Sequence, residues 1–230
     1  MVPLRDENPT TITPYVTFAL IAVNIAVFFH QISLNPDALE AFIRMWGVVP
    51  ARITAHLNGA ASDSVWITLV SSQFLHANLL HLGGNMLYLW IFGNNIEDKL
   101  GHTRYLVFYL VCGVLAALSQ WFFFQQGAVP MVGASGAIAG VMGAYIIRFP
   151  SAKILTFFPM FFFFTFKVPA YVFLGFWFVQ QALFSVGTTL AAGGGEGGVA
   201  YWAHAGGFVF GALLGPMFGL MDDQPPQRRR

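Results

Sequence analysis

The sequence predicts an all-α, polytopic membrane protein, on three observations. Of its 230 residues, 57% are apolar and only 9% are charged, against roughly 25% charged in an ordinary soluble domain. So little charge cannot cover a surface facing water. Six stretches approach the length of about 20 apolar residues that a membrane helix needs. The lysines and arginines also fall unevenly about those stretches, as they do in membrane proteins. The net charge of +1 gives no basic patch and no case for nucleic acid as a partner. The single cysteine, Cys112, sits in an apolar run and excludes an intrachain disulfide framework.

Residues 1–13 are read as a cytosolic N-terminal segment, 14–221 as one membrane domain and 222–230 as a cytosolic tail. The N-terminus has no basic n-region and no small-residue cleavage site, so its first apolar run is not expected to be a cleaved signal peptide. The expected spans are 14–31, 79–96, 104–124, 135–149, 168–186 and 200–221, the fourth being short. Residues 34–72 form a long loop whose "LNPDALEAFIRMWGVV" reads as an amphipathic piece lying on the membrane. The aromatic run "FFPMFFFFTF" at 157–166, between Lys153 and Lys167, is too short to span. It reads as interfacial or as the start of the fifth helix. The loop 187–199, with "GGGEGG", reads as mobile.

With the N-terminus inside, nine of the eleven lysines and arginines face the cytosol and only Arg44 and Arg52 face out. Both termini are therefore expected in the cytosol, and the protein is expected in a prokaryotic-type cell membrane.

Ionisable and amide groups at membrane depth are costly and by default mark function. The second span opens with "FLHANLLHLGGNMLYLW", carrying His76, His81 and Asn85; the fourth opens with Ser135; the sixth carries His204 in "AHAGGFVFGALLG". His81 and Asn85 are four apart and share a helix face. His204, Gly207, Gly211 and Gly215 share another, and Ser135, Gly136, Ala139, Gly140 and Gly143 form a matching small stripe. Small faces let helix backbones approach closely in lipid, which would bring Ser135 to His204. A serine beside an imidazole is the minimum activated nucleophile.

Depth agrees with that grouping. Counted from the inner helix ends at 1.5 Å per residue, Ser135, Asn85, His81 and His204 lie about 20, 18, 24 and 27 Å up, in the outer half of the membrane. A helix beginning at Ser135 points unpaired N–H groups toward its hydroxyl. With His81 and Asn85 as donors, these supply an oxyanion hole. No carboxylate lies on these helices to orient His204, so the arrangement reads as a dyad rather than a triad.

Each residue alone has a plainer reading. Ser135 could be packing filler, the glycine patterns simple helix contacts, and His204 a buried histidine bonded to a carbonyl. Gln180 and Gln181 could line a wet face of the fifth helix or bond across helices. A metal site from His76, His81 and His204 is disfavoured. The five-residue step separates the first two on a continuous helix, and no carboxylate completes the shell. Neither metal nor cofactor is expected. Together, the serine, histidines and asparagine at one depth favour chemistry.

At these residues the sequence resembles the rhomboid family of intramembrane serine proteases. The resemblance is carried by "FLHANLLHLGGNMLYLWIFGNNIEDKLG", "VGASGAIAGVMGAY" and "AHAGGFVFG". It implies a six-transmembrane-helix bundle, Ser135 as nucleophile and His204 as general base. It also implies an oxyanion hole from His81, Asn85 and backbone near Ser135 and Gly133, with His76 organising polar groups above the site. Gly140, Gly207 and Gly211 would serve helix packing, and the fifth helix with the 187–199 loop would admit transmembrane protein substrates from the bilayer. Many members carry a Trp-Arg pair in the first outer loop; here Gly47 follows Trp46, which leaves the loop's anchor open. The alternatives are an inactive rhomboid-like binder of membrane proteins, or a small channel or transporter. The first would lack the serine or the histidine, which this chain keeps. The second would spread polar residues through the full depth, whereas the inner halves of these helices are apolar.

Overall fold

Lipid offers a backbone no hydrogen-bond partners, so a chain this apolar must satisfy its amides internally. The computed structural model describes residues 1–60, 65–158, 164–191 and 199–222. In chain order they form β1 (Val2–Asp6), α1 (Tyr15–Ser33), α2 (Pro36–Trp46), α3 (Pro50–Leu57), α4 (Thr68–Ser71) and α5 (Leu79–Tyr88). A π-helical turn (Leu89–Gly93), α6 (Asn94–Leu100), α7 (His102–Phe123), α8 (Ser135–Arg148), β2 (Lys153–Phe158), β3 (Phe164–Pro169), α9 (Ala170–Leu190) and α10 (Tyr201–Met217) follow. Among the described residues three helices, α1, α7 and α9, are long and apolar enough to cross a membrane.

The other apolar stretches are built differently. Residues 79–100 stay helical but are divided by the π turn into α5 and α6. Helix α8 has only 14 residues, and every one from Gly136 to Tyr145 is buried. It sits against α7 and α10, so protein rather than lipid surrounds it, and a long apolar run is not required of it.

The contact between α8 and α10 is backbone on backbone. A Cβ on Gly207 would collide with the Gly136 carbonyl oxygen, and one on Gly211 with the carbonyl and Cα of Gly140. On the opposite side of Gly140 lies Cys112 of α7, whose Cβ would stand 2.5 Å from a Cβ placed there. Close approach of this kind gives dispersion contacts that larger side chains would forbid.

The fold is mostly helical, but the all-α expectation needs correcting. β1, β2 and β3 form an antiparallel three-stranded sheet in that order. Val2 lies opposite Phe157 and Asp6 opposite Ile154, while Lys153 pairs with Pro169 and Phe158 with Phe164. Within β2, Ile154 and Thr156 are fully buried whereas Lys153 is exposed, the two-residue alternation of a half-buried strand. The described residues of 157–166 are therefore strand rather than the start of the fifth helix. Residues 157–158 end β2, 164–166 open β3, and 159–163 lie outside the described residues. Helix α9 starts after Pro169, whose fixed φ and missing N–H suit a helix start better than a continuing ladder. Of the glycine-rich loop, 187–190 belong to α9 and 192–198 lie outside the described residues, as do tail residues 223–230.

Acidic side chains tie the N-terminal segment to the end of the bundle that carries the sheet. Asp6 Oδ2 accepts from Asn95 Nδ2 at 2.8 Å and from the Tyr145 hydroxyl at 2.7 Å. Burial holds the Asp6 carboxyl above its ordinary pKa of 3.8, although those two bonds act in the opposite direction. Asp98 Oδ1 accepts the N–H groups of Thr11 at 2.6 Å and Ile12 at 3.0 Å. The fully buried Glu97 accepts those of Val16 at 2.9 Å and Thr17 at 2.8 Å, the unpaired donors at the start of α1.

Candidate active site

Ser135 is the first residue of α8, so its N–H and those of the next turn have no partner within the helix. His204 lies in the first turn of α10. The glycine contact one and two turns below brings them together, with Ser135 Oγ 2.7 Å from His204 Nε2. The start of α10 is held from α7, where Gln120 Oε1 accepts from the N–H of Trp202 at 3.0 Å and of Ala203 at 3.3 Å. The other ring nitrogen of His204, Nδ1, lies 2.8 Å from Gln181 Oε1 on α9. An amide oxygen only accepts, so Nδ1 carries the proton and Nε2 offers its lone pair to the Ser135 hydroxyl.

His81 and Asn85 project from α5, whose N-cap is the Asn78 side chain accepting the His81 N–H at 2.9 Å. Both close over Gly133. A Cβ there would stand 2.8 Å from His81 Nε2 and 3.6 Å from Asn85 Nδ2, and the Gly133 φ of +128° also disfavours any side chain. The Gly133 N–H departs from the expected role of oxyanion donor, because it already donates to the Ser72 carbonyl at 2.9 Å. The groups that share a cleft with the serine are the His81 and Asn85 side chains, beside the first turn of α8.

His76 lies outside α5, before the Asn78 cap, and this corrects the expectation that a continuous helix separates it from His81. Their rings meet edge-on at 5.1 Å, and Asn85 Nδ2 donates to His76 Nε2 at 2.9 Å. Gln31 of α1 clamps the His76 backbone, accepting its N–H at 3.0 Å and donating to its carbonyl at 3.1 Å. His76 thus fixes the Asn85 amide rather than facing the serine. One Asn85 N–H remains for another acceptor.

An open cleft of about 310 Å³ contains Ser135, His204, His81 and Asn85, and its walls include Leu80 and Tyr88 of α5 and Trp177 of α9. Behind the serine, a smaller cavity of about 40 Å³ is lined by Ser72, Gln73, Gly133 and Ala203, among others. Polar side chains from α5, α8 and α10 line this cleft and α9 adds Trp177 to its wall, an arrangement that suits transfer of an acyl group to the Ser135 oxygen.

The 34–72 loop has an anchor other than a Trp-Arg pair. Val48 and Met131 exchange backbone hydrogen bonds of 3.1 and 2.7 Å, Ala51 N–H donates to Gly127 at 3.0 Å, and the Thr54 hydroxyl donates to Gln125 at 2.7 Å. The Ser71 hydroxyl also holds the Trp46 carbonyl at 2.7 Å. Residue 47 has no room for an arginine: a Cβ there would stand 2.6 Å from the Ile43 carbonyl oxygen and 3.2 Å from Pro130. The loop is thereby tied to the segment that leads into Gly133 and Ser135.

Gln31, Gln120 and Gln181 were the groups whose partners the sequence did not reveal. Their signal was an amide in an apolar helix, which says that a partner exists without saying which one.

Comparison with known proteins points the same way. The sequence model of the rhomboid domain matches residues 63–220. Rhomboid protein 1, mitochondrial, of Saccharomyces cerevisiae is 29% identical over 216 residues, covering 92% of this chain and 56% of that protein. Rhomboid protease GluP of Bacillus subtilis is 31% identical over 137 residues, 58% of this chain and 24% of the relative. Rhomboid protease AarA of Providencia stuartii is 30% identical over 146 residues, 57% and 50% respectively. This chain thus spans between 24% and 56% of the length of these three relatives. Mitochondrial and bacterial proteins stand side by side among them, so they do not favour a prokaryotic-type membrane.

Proposed function

This chain belongs to the rhomboid family, and from that membership we propose that it is an intramembrane serine endopeptidase working through Ser135 and His204. The single observation that carries the reading is the 2.7 Å contact between Ser135 Oγ and His204 Nε2 beside the first-turn N–H groups of α8. Three helices long and apolar enough to cross a bilayer fit an integral membrane protein. We take 14–221 as one membrane domain of six spans. These are α1, the 79–100 segment, α7, α8, α9 and α10, with residues 1–13 and 222–230 on the cytosolic side and α2 lying on the outer face.

In this reading a substrate helix enters the cleft between α5 and α9 and unwinds locally, since its scissile carbonyl is otherwise hydrogen-bonded within the helix. Helix-weakening residues near the scissile bond should therefore help. His204 Nε2 takes the proton as Ser135 Oγ attacks that carbonyl. The developing oxyanion is met by the Ser135 N–H, Asn85 and His81. His204 then protonates the leaving amine, and a water repeats the sequence on the acyl-enzyme. Asn85 is held for its role by His76, and His76 by Gln31.

The test is cleavage of a model single-span protein by purified chain in detergent. Wild type should cleave, and Ser135→Ala and His204→Ala should be inert though folded, because the two groups act as a unit. Wild-type turnover by Ser135→Ala overturns the reading.

A further inference from the structure

We propose that Gln181 is a positioning residue for the base, a third member behind His204 that fixes its tautomer and ring orientation from a different helix. The inference rests on the reading of Ser135 and His204 as nucleophile and base.

The requirement is chemical. A neutral imidazole has one N–H and one lone pair, and only the form with the proton on Nδ1 presents a lone pair to Ser135. The other form points an N–H at the serine oxygen and cannot take its proton. Within hydrogen-bond reach of Nδ1 stands Gln181 Oε1, at 2.8 Å, an atom that accepts and never donates.

Burial says the same about Gln181 itself. It is 9% exposed, whereas the preceding Gln180 is exposed. In α9, a helix apolar enough to cross a membrane, an amide turned inward without a partner would be costly. Its partner is the histidine. One turn earlier on α9, the Trp177 ring lies 5.9 Å from the His204 ring and 6.1 Å from Phe208, so two side chains of α9 hold the same face of α10.

An amide also suits a membrane-embedded setting better than the carboxylate that orients the histidine of a Ser-His-Asp triad. A buried carboxylate carries a large desolvation penalty. A neutral acceptor selects the tautomer without it, though it gives up charge stabilisation of the imidazolium. Because the contact spans two helices, a shift of α9 by about 1 Å would take it out of hydrogen-bond range. The orientation of the base is therefore coupled to the position of α9.

The test joins a spectrum to kinetics. Nitrogen-15 NMR of histidine-labelled protein in micelles, with His204 assigned by its loss in His204→Ala, should place the proton on Nδ1 in wild type. In Gln181→Met, which keeps length and apolar volume but no acceptor, the tautomers should mix. Its kcat should fall about tenfold, the rate equivalent of one net hydrogen bond, with KM unchanged. Gln181→Glu, which keeps an acceptor oxygen at the same reach, should recover most of kcat, and Gln180→Met should behave as wild type. A proton on Nε2 in wild type, or a Gln181→Met protein with unchanged tautomer and kcat, overturns the inference. The spectrum needs no turnover. A chain that cleaves nothing yet holds the Nδ1 proton through Gln181 refutes the protease reading and leaves the hydrogen bond standing. If Ser135→Ala is inert and Gln181→Met is normal, Gln181 alone is refuted.

Discussion

Replacing Gly211 by alanine adds one methyl group, which in an unpacked helix would raise intrinsic stability by up to about 1 kcal/mol. Here the new Cβ would come about 1.5 Å closer to the Gly140 carbonyl oxygen than ordinary contact allows. The atom it meets is backbone of the buried Gly140, so no rotamer change can relieve the overlap, and α10 must move from α8. Overpacking of this kind costs about 1–3 kcal/mol, more than the propensity gain. The Ser135–His204 contact of 2.7 Å lies fewer than two turns away across the same seam. If a shift of about 1 Å reached it, the rate would fall by roughly 10². The matched control is Gly175→Ala in α9, where a Cβ would meet nothing within 4 Å. Thermal melting in detergent and cleavage of a single-span substrate read both effects. Gly211→Ala should melt lower and cleave slowly, and Gly175→Ala should melt at or above wild type. If Gly211→Ala melts and cleaves like wild type, the seam does not position the dyad. Gly211→Val should be worse on both counts.

Asn85→Ala should lower kcat by about 10²–10³, the usual loss for one oxyanion donor, with little change in KM; a normal kcat with weakened binding would make Asn85 a substrate contact. Gly133→Ala should lose activity and some stability, since its Cβ would push the His81 ring aside at 2.8 Å and strain a backbone at φ +128°; unchanged turnover would dissociate His81 from the site. Asp6 tests by pH the tie between the N-terminal segment and the bundle. Its carboxyl is raised above 3.8 in the folded state, so the native form binds the proton more tightly than the unfolded one. Its contribution to stability is then fully present below about pH 4 and is lost as pH rises through the folded value. Asp6→Asn keeps an acceptor for Tyr145 and Asn95, so melting curves of the variant should lack that pH-dependent loss, and identical pH profiles would contradict the burial argument.

The α8–α10 seam was legible because two stripes of small residues at helical spacing, Gly136–Gly140–Gly143 and Gly207–Gly211–Gly215, have few uses in lipid other than close approach. The polar set was legible through depth, since costly groups rarely coincide by accident. The sheet was not. In "KILTFF" the two-residue pattern is hidden because Leu155 and Phe157 are apolar as well, so a strand with one buried face reads as a uniform apolar run. β1, five residues including Pro3 and two charges, has no strand signal apart from its partner. The helix ends were placed within a few residues and the shortness of α8 was visible in its sequence, but the π turn that interrupts the 79–100 segment was not. Gln181 was visible as an amide at depth. Its partner was not, because nothing in a single sequence fixes how α9 rotates against α10.

The central claim is that Ser135 is a nucleophile made reactive by His204, and covalent labelling tests it most directly. Purified protein treated with a fluorophosphonate and analysed by peptide mass spectrometry should carry the adduct on Ser135, and His204→Ala should label far more slowly while melting like wild type. An adduct on another residue, or equal labelling of Ser135 with and without the imidazole, would contradict the account.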